Sequence, residues 1–190
     1  MDVDLRRDLG ALQGDFDVLV VGAGVYGSAI ASAAARRGFK VALIDRGDFG
    51  GATSHNSLKL VHGGLRYLQH LDLPRIRESV RSQNAWLAMA PHLVRPLRFV
   101  IPTYGYGTRG PLALAAAITA FQFIAWDRNR DLVPEARMPR GGLLSRRQLL
   151  SLYPMLDQPD VRGGAYWYDA QMLDANRLTF ECVTDACRHG

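Results

Sequence analysis

The sequence predicts an α/β protein that starts with a Rossmann-like βαβ domain and continues into the start of an inserted α+β region. Four consecutive features predict the βαβ domain. The valine-rich run Asp15–Val21 reads as a buried parallel strand, and the glycine-rich turn "GAGVYG" follows it at once. A helix of small residues then ends near Gly38, and Lys40–Asp45 reads as a second strand. Strand, glycine turn, helix and strand within about thirty residues make a βαβ unit.

The glycine turn predicts a dinucleotide site, because Gly22, Gly24 and Gly27 have the G-x-G-x-x-G spacing between a strand and a helix. The pyrophosphate of a dinucleotide would lie over the helix N-terminus, where amide donors and the helix dipole favour anions. Ala23, Val25 and Tyr26 complete the predicted loop. The motif is shared by NAD and FAD proteins and does not choose between them.

An acidic residue stands where the ribose of a dinucleotide is expected. Asp45 ends the second strand, eighteen residues after Gly27, and is predicted to accept a hydrogen bond from a ribose hydroxyl. Arg46 follows it and belongs to the same predicted site.

The rest of the chain predicts alternating helices and strands. A helix is predicted over Leu73–Ala90, capped by Asp72, and "PLRFVIP" reads as a strand. The apolar segment Pro111–Trp126 is shorter than a membrane span and predicts a buried helix. A short helix is predicted from Ser145, and then a strand and a helix capped by Asp174.

The predicted domains are an N-terminal extension (1–14), a dinucleotide-binding domain (15–95), a partial substrate or cap region (96–170) and a helix that returns to the first domain (171–190). No strand follows the last helix, so we expect the chain to be the front part of a longer protein.

Composition and charge indicate which kinds of binding partner are expected. The chain has 190 residues, 48% of them hydrophobic, and a net charge of +5 that favours anionic partners. The arginines are scattered and form no basic block, so nucleic acid is not expected. The histidines lack the ligand pairs of a metal site, and Cys182 and Cys187 are predicted to be buried thiols. No secretory signal is visible at the N-terminus.

The connection after Asp45, "RGDFGGATSHNSLKLVHGGLRY", is long and rich in glycine and hydroxyl side chains. Its last part crowds lysine, histidine, arginine and tyrosine around two adjacent glycines. A segment of this length could reach from the ribose towards the reactive end of an extended dinucleotide.

Two stretches resemble a known family. "GATSHNSLKLVHGGLRYLQH" and "RESVRSQNAWLAMAPHLVRPLRFVIP" are similar to the front half of the FAD-dependent glycerol-3-phosphate dehydrogenases, within the wider flavin family of D-amino-acid and glycine oxidases. The resemblance runs from about Asp17 to Gly190. It implies FAD as cofactor, oxidation of sn-glycerol 3-phosphate to dihydroxyacetone phosphate, and quinone as electron acceptor. It also implies a cytoplasmic protein bound peripherally to the inner face of the cell membrane.

The same resemblance implies roles for individual residues. The residues implied to line the flavin ring and its ribityl chain are Thr53, Ser54, Ser57, Lys59, Leu60 and His62. Gly63 and Gly64 would let the backbone approach the ring. Arg66 would bind the substrate phosphate, and Tyr67 would bind a substrate hydroxyl or a phosphate oxygen. The catalytic base is unknown and expected beyond residue 190, so the chain alone is predicted to be inactive.

Two other functions stay open. One is a flavin oxidase or dehydrogenase of an amino or hydroxy acid, which would share the glycine fingerprint but not need Arg66 and Tyr67 for a phosphate. The other is a non-catalytic dinucleotide-binding fragment. The scaffold hosts many reactions, so fold alone does not separate them.

Overall fold

The computed structural model describes residues 9–189. Within them, contacts divide the chain into two units: unit 1 comprises the residues up to Lys59 and those from Met172 onward, and unit 2 comprises Leu60–Gln171. Residues 1–8 of the predicted extension lie outside the described residues, and Leu9–Gln13 form a short 3-10 helix. The domain limits predicted from the sequence stay predictions.

Unit 1 contains the predicted βαβ arrangement. Strand β1 (Val18–Val21), helix α1 (Val25–Ala35) and strand β2 (Val41–Ile44) follow one another. The two strands are parallel, with Val18 opposite Val41 and Val21 opposite Ile44. The fold class predicted from the sequence is therefore confirmed for this unit.

The prediction that β1 is buried on both faces is wrong for the described residues. Val20 is 8% exposed, whereas Leu19 and Val21 are 60% and 76% exposed. Side chains of a strand alternate between its two faces, and α1 covers only one of them. A valine-rich run identifies a strand, but it does not say what covers the strand.

The last helix of the chain, α5 (Ala175–His189), packs along α1 in unit 1. Asp174 caps it, accepting hydrogen bonds from the amides of Asn176 and Arg177, as predicted. Asp185 joins the two helices by accepting hydrogen bonds from Ser32 Oγ and from Arg36 Nε.

Unit 2 is organised around one long strand. Strand β6 (Val161–Met172) pairs antiparallel with β3 (Leu60–Val61) and with β5 (Gly142–Ser145), and β4 (Val94–Tyr104) is its other neighbour. Both predicted strands of this region, "PLRFVIP" and the one before Asp174, lie within β4 and β6. Helix α4 (Arg146–Leu152) begins at Ser145, which forms a capping box with Gln148.

Two longer helices complete unit 2. Helix α2 (Leu73–Met89) begins after Asp72, whose side chain accepts the amide of Arg75, as predicted. Helix α3 (Pro111–Ile124) packs against it through a core formed by Ile76, Val80, Phe121 and Ala125.

The expectation of a buried α3 is correct only for one side of the helix. Ile118 and Phe121 are buried, but Leu112 and Phe123 are 80% and 82% exposed. A helix of almost uniform apolar composition does not reveal from its sequence which of its sides packs against the protein.

The prediction that both cysteines are buried thiols holds only in part, because Cys182 is buried and Cys187 is exposed.

Among residues 9–189, no helix is long and apolar enough to cross a membrane. The same residues contain no group of three or more histidine, cysteine, aspartate or glutamate side chains that could hold a metal ion.

Candidate functional site

The glycine loop of unit 1 has the geometry that its spacing predicts. Gly22 has a φ of 101°, and its amide donates to the carbonyl of Ile44, which ties the end of β1 to β2. Gly24 caps the N-terminus of α1. A Cβ atom at Gly27 would lie 1.8 Å from the carbonyl oxygen of Gly22, so only glycine allows the helix to start this close to the strand.

Asp45 fixes this loop from the end of β2. One carboxylate oxygen accepts the amide of Ala23 at 2.7 Å, and the other accepts the amide of Gly47 at 2.8 Å. The hydrogen bond from Ala23, followed by that from Gly47, holds the pKa of Asp45 below its ordinary value. The side chain is exposed, and a carboxylate oxygen can accept more than one hydrogen bond, so it can still accept a ribose hydroxyl.

Ser54 reaches the same loop from the long connection. Its Oγ accepts the amide of Val25, the first residue of α1, at 2.9 Å. The structure therefore places Ser54 beside the helix N-terminus, where a pyrophosphate would bind. Ser57 accepts the amide of Lys59, and the side chains of Arg46, Thr53 and Ser57 are exposed, as is Tyr26.

Lys59 has an unusual backbone conformation. Its φ is 55°, in the left-handed region that few residues other than glycine, asparagine and aspartate adopt. Its carbonyl oxygen accepts the amide of Met172. Lys59 and His55 also contribute to lowering the pKa of Asp174, after the larger effect of the amide of Arg177. The charged end of Lys59 is therefore near a carboxylate in unit 1.

In unit 2 the two adjacent glycines pack against the protein core. Gly64 has a φ of 88° and precedes a 3-10 helix, Leu65–His70. A Cβ atom there would lie 3.0 Å from the Cβ of Ser79, and one at Gly63 would lie 3.2 Å from Phe121. The close neighbours of these glycines are therefore side chains of α2 and α3, a role that we did not predict.

The two residues predicted for the substrate, Arg66 and Tyr67, line one cavity of about 900 Å³ in unit 2. His62, which was predicted to line the flavin, borders the same cavity. The ring of Tyr67 lies edge-on to His62 at 5.8 Å between centroids, and the guanidinium of Arg75 lies 5.4 Å from the same ring centre. Tyr67 also packs against the helical core. Leu60, by contrast, lies in β3 opposite Gln171.

The cavity has further polar residues that sequence reasoning missed. Three of them are Arg109, which follows β4, and Trp167 and Asp169, which lie on β6. One wall is apolar and includes Leu114 and Ile118 of α3. No spacing rule connects these residues to Arg66, since they are 43 to 103 positions away in the chain. The residues before and after Arg109, "GYGTRG", do mark an exposed glycine-rich turn, which was the available signal.

The glycine loop of unit 1 is typical of dinucleotide-binding proteins, and comparison with known proteins identifies the class. The chain belongs to the FAD dependent oxidoreductase family, which matches residues 17–190. This confirms the resemblance stated from the sequence, and with it FAD as the cofactor type of the family.

Within that class, the chain is similar to glycerol-3-phosphate dehydrogenases. It is 34% identical over 175 residues to the glycerol-3-phosphate dehydrogenase of Synechocystis sp., an alignment that covers 92% of this chain and 30% of that protein. The chain therefore spans about a third of the length of the curated relatives that it matches.

Solved structures show the same fold. The glycerol-3-phosphate dehydrogenase of Bacillus halodurans, complexed with FAD, has a TM-score of 0.61 at 24% identity, covering 94% of this chain and 26% of that one. The FAD-bound L-alpha-glycerophosphate oxidase of Mycoplasma pneumoniae has a TM-score of 0.62 at 18% identity, covering 92% and 43%.

The residues of unit 1 fit the diphosphate part of such a cofactor. The turn at Gly22 has the backbone conformation that only glycine adopts easily, and Gly27 leaves no room for a side chain between loop and helix. The amides of Ala23 and Val25 already donate to Asp45 and Ser54. The next amides of the first turn of α1 have no partners within the helix, so together with the positive end of the helix dipole they suit an anion such as a pyrophosphate.

Proposed function

We propose that the complete protein binds FAD and oxidises sn-glycerol 3-phosphate to dihydroxyacetone phosphate. The observation that carries this proposal is the cavity of unit 2, which is lined by Arg66, Tyr67 and Arg109 together. Guanidinium groups bind phosphate oxygens in bidentate geometry, and a tyrosine hydroxyl adds a further donor. The names of the relatives support the same substrate.

The oxidation removes a hydride from C2 of the substrate and a proton from the C2 hydroxyl, which leaves a ketone. FAD, when bound, supplies the hydride acceptor. In our proposal Arg66 and Tyr67 hold the phosphate, so that C2 is fixed in one orientation and less entropy is lost when the substrate reacts. We assign the proton acceptor to none of the described residues.

In unit 1 we propose that the glycine loop, from Gly22 to Gly27, and Ser54 bind the diphosphate, and that Asp45 binds a ribose hydroxyl. Lys59 would add positive charge near the flavin, which stabilises an anionic reduced ring. Exposed side chains of the connection would make the remaining polar contacts; they are Arg46, Thr53 and Ser57.

An anaerobic titration of the protein encoded by the complete gene tests the substrate. We expect sn-glycerol 3-phosphate to bleach the flavin absorption band. Arg66→Ala is expected to raise the substrate concentration for half bleaching about a hundredfold, because a charged hydrogen-bonding partner of a phosphate is lost. Arg140→Ala removes an exposed arginine that does not line the cavity and is the matched control.

The other outcomes of this titration are equally informative. Bleaching by an amino or hydroxy acid, with no response to the phosphate ester, would contradict the proposed substrate and favour an oxidase of that acid. A protein that binds FAD and responds to neither would be a non-catalytic dinucleotide-binding protein. We also propose that the 190-residue chain alone does not turn over substrate, and steady-state activity of the chain would contradict this.

We further propose that quinone accepts the electrons and that the protein binds the cytoplasmic face of the cell membrane. Exposed apolar side chains lie on α3 and two positions after its end, namely Leu112, Phe123 and Trp126. They suit an interfacial contact, and the net charge of +5 suits an anionic surface. The variant Phe123→Ser is expected to weaken sedimentation of the complete protein with phosphatidylglycerol vesicles. Sedimentation equal to that of the native protein would argue against α3 as the contact.

A further inference from the structure

One carboxylate on β6 is bonded to the segment that carries the proposed substrate donors. The Oδ1 atom of Asp169 accepts the amide of Gly63 at 2.6 Å, and its Oδ2 atom accepts the indole N–H of Trp167 at 3.1 Å. Gly63 stands next to His62 and three residues before Arg66. Asp169 itself lies 106 residues away in the chain, so this contact exists only in the folded unit.

A second side chain supports the same segment. The amide nitrogen of Gln83, on α2, donates to the carbonyl of Val61 at 2.6 Å and to Asp169 Oδ1 at 3.3 Å. Gln83 is 2% exposed, so its hydrogen bonds are made away from water and are costly to lose. The backbone on both sides of His62 is therefore held by hydrogen bonds to buried or half-buried side chains.

Packing leaves this backbone little freedom. A Cβ atom at Gly63 would lie 3.0 Å from the Oε1 of Gln83 and 3.2 Å from the ring of Phe121. Gly64 immediately precedes the 3-10 helix that contains Arg66 and Tyr67. A shift of the backbone at Gly63 would therefore move that helix and both side chains.

A buried cation gives the carboxylate an electrostatic partner. Arg128 is 7% exposed, and its guanidinium donates to the carbonyl of Pro139 and lies 5.9 Å from the ring centre of Phe121. Burial lowers the pKa of Arg128, and the charge of Asp169 acts in the opposite direction. Removing the carboxylate would thus leave a buried positive charge less compensated.

We propose that Asp169, assisted by Gln83, is the positioning residue that fixes Arg66 and Tyr67 for binding of the substrate phosphate. The inference rests on the proposed function only for the identity of the ligand. Asp169 acts through the backbone of Gly63 and not on the reacting atoms. Its loss therefore weakens phosphate binding more than it slows the hydride transfer.

The kinetic test uses the holoprotein from the complete gene. Asp169→Asn keeps an oxygen that can accept the amide of Gly63 but removes the charge, and Asp169→Ala removes both. We expect KM for sn-glycerol 3-phosphate to rise about tenfold and about a hundredfold respectively, with kcat changing less than threefold. Asp131→Asn is the control, because Asp131 is an exposed aspartate of unit 2 that does not line the cavity.

The second test does not depend on activity. Hydrogen exchange is followed in the peptide that covers residues 57–69, without substrate. We expect the amides of this peptide to exchange at least tenfold faster in Asp169→Ala than in the native protein, and to be unchanged in Asp131→Asn. If Asp169→Ala does not fold, the double variant Asp169→Ala, Arg128→Met is used, because it removes the buried positive charge as well. Hydrogen exchange of the peptide is then compared between this double variant and the single variant Arg128→Met.

Each outcome decides one part of the inference. Unchanged exchange in the Asp169 variants overturns it, whatever the kinetics. Faster exchange with an unchanged KM overturns the step from the backbone to the phosphate donors. If the native flavin does not respond to the phosphate ester, the proposed function fails, and the exchange data alone then decide whether Asp169 positions the segment.

Discussion

The two units build their candidate sites from different chemical groups. Unit 1 uses backbone: the amides at the start of α1, the turn at Gly22 and the close approach at Gly27 form the loop. Unit 2 uses side chains, with Arg66 and Tyr67 at the cavity and Asp169, also at the cavity, bonded to the segment that carries them. A backbone site depends on a short stretch of glycines, whereas a side-chain site depends on contacts between distant residues. The first kind can be recognised from spacing, and the second kind needs the folded structure.

The largest effect should come from changing the close approach in unit 1. In Gly27→Ala the new Cβ would lie 1.8 Å from the carbonyl oxygen of Gly22, a backbone atom that cannot move without moving β1. We expect a loss of roughly 4 kcal/mol or more in the free energy of unfolding, together with loss of bound FAD. Thermal melting and the flavin content of the purified complete protein measure both.

A matched glycine gives the control for this prediction. Gly14→Ala adds a methyl group with no atom within 4 Å, so the melting temperature and flavin content should be unchanged. A Gly27→Ala protein that retains native flavin content would contradict the backbone character of the unit 1 site.

Gly64→Ala is the corresponding change in unit 2 and should be less severe. Alanine would have to adopt a φ of 88°, and its Cβ would lie 3.0 Å from the Cβ of Ser79, a contact much less close than the 1.8 Å at Gly27. We expect a loss of about 2–3 kcal/mol in the free energy of unfolding, with the phosphate response weakened more than flavin binding. The opposite order, with flavin lost first, would contradict the assignment of this segment to the substrate donors.

Acid should weaken unit 1 through the contact between its helices. The hydrogen bond from Arg36, assisted by that from Ser32, holds the pKa of Asp185 below its ordinary value, against the opposing effect of burial. A carboxyl group with a lowered pKa in the folded state stabilises the protein fully above its unfolded pKa, and this stability is lost as pH falls through the folded pKa.

The measurement is urea unfolding at pH values from 6 down to 2. Asp185→Asn is expected to be less stable than the native protein at pH 6, and the difference should shrink below about pH 3.8, the ordinary value for aspartate. A constant difference over the whole range would show that the charge of Asp185 does not stabilise the helix contact.

The smallest expected effect concerns a buried hydroxyl in unit 2. Thr103 is fully buried in β4, and among residues 9–189 its Oγ1 atom has no hydrogen-bond partner. Thr103→Val removes this unsatisfied group at nearly constant volume and should stabilise the protein by about 1 kcal/mol. Thr179→Val is the matched control, since the hydroxyl of Thr179 donates to the carbonyl of Ala175, so this change should not stabilise the protein. A destabilised Thr103→Val protein would mean that the hydroxyl of Thr103 is bonded in solution.

Local signals in the sequence predicted most of the elements correctly. Asp72, Ser145 and Asp174 were each predicted at the start of a helix, and all three cap one. These signals are reliable because a capping side chain bonds to amides only two or three residues further on, so the cap depends on a short stretch of sequence. The glycine turn between β1 and α1 could be predicted for the same reason.

Exposure was less predictable. The exposed side chains of β1 and α3, such as Val21 and Phe123, belong to stretches whose composition is typical of buried elements. Composition gives the average hydrophobicity of a segment, but it does not show which face of a strand or helix is covered by other elements. That depends on elements elsewhere in the chain.

The sequence by itself determined the βαβ unit, its glycine turn and the family, since these depend on contiguous residues and their spacing. Only the tertiary structure decided which residues accompany Arg66 and Tyr67 around the cavity, and that Asp169 and Gln83 hold Gly63. The physical reason is the range of the interactions. Backbone turns and caps are closed within a few residues, whereas the hydrogen bond from Gly63 to Asp169 joins positions 106 residues apart, and folding alone brings them together.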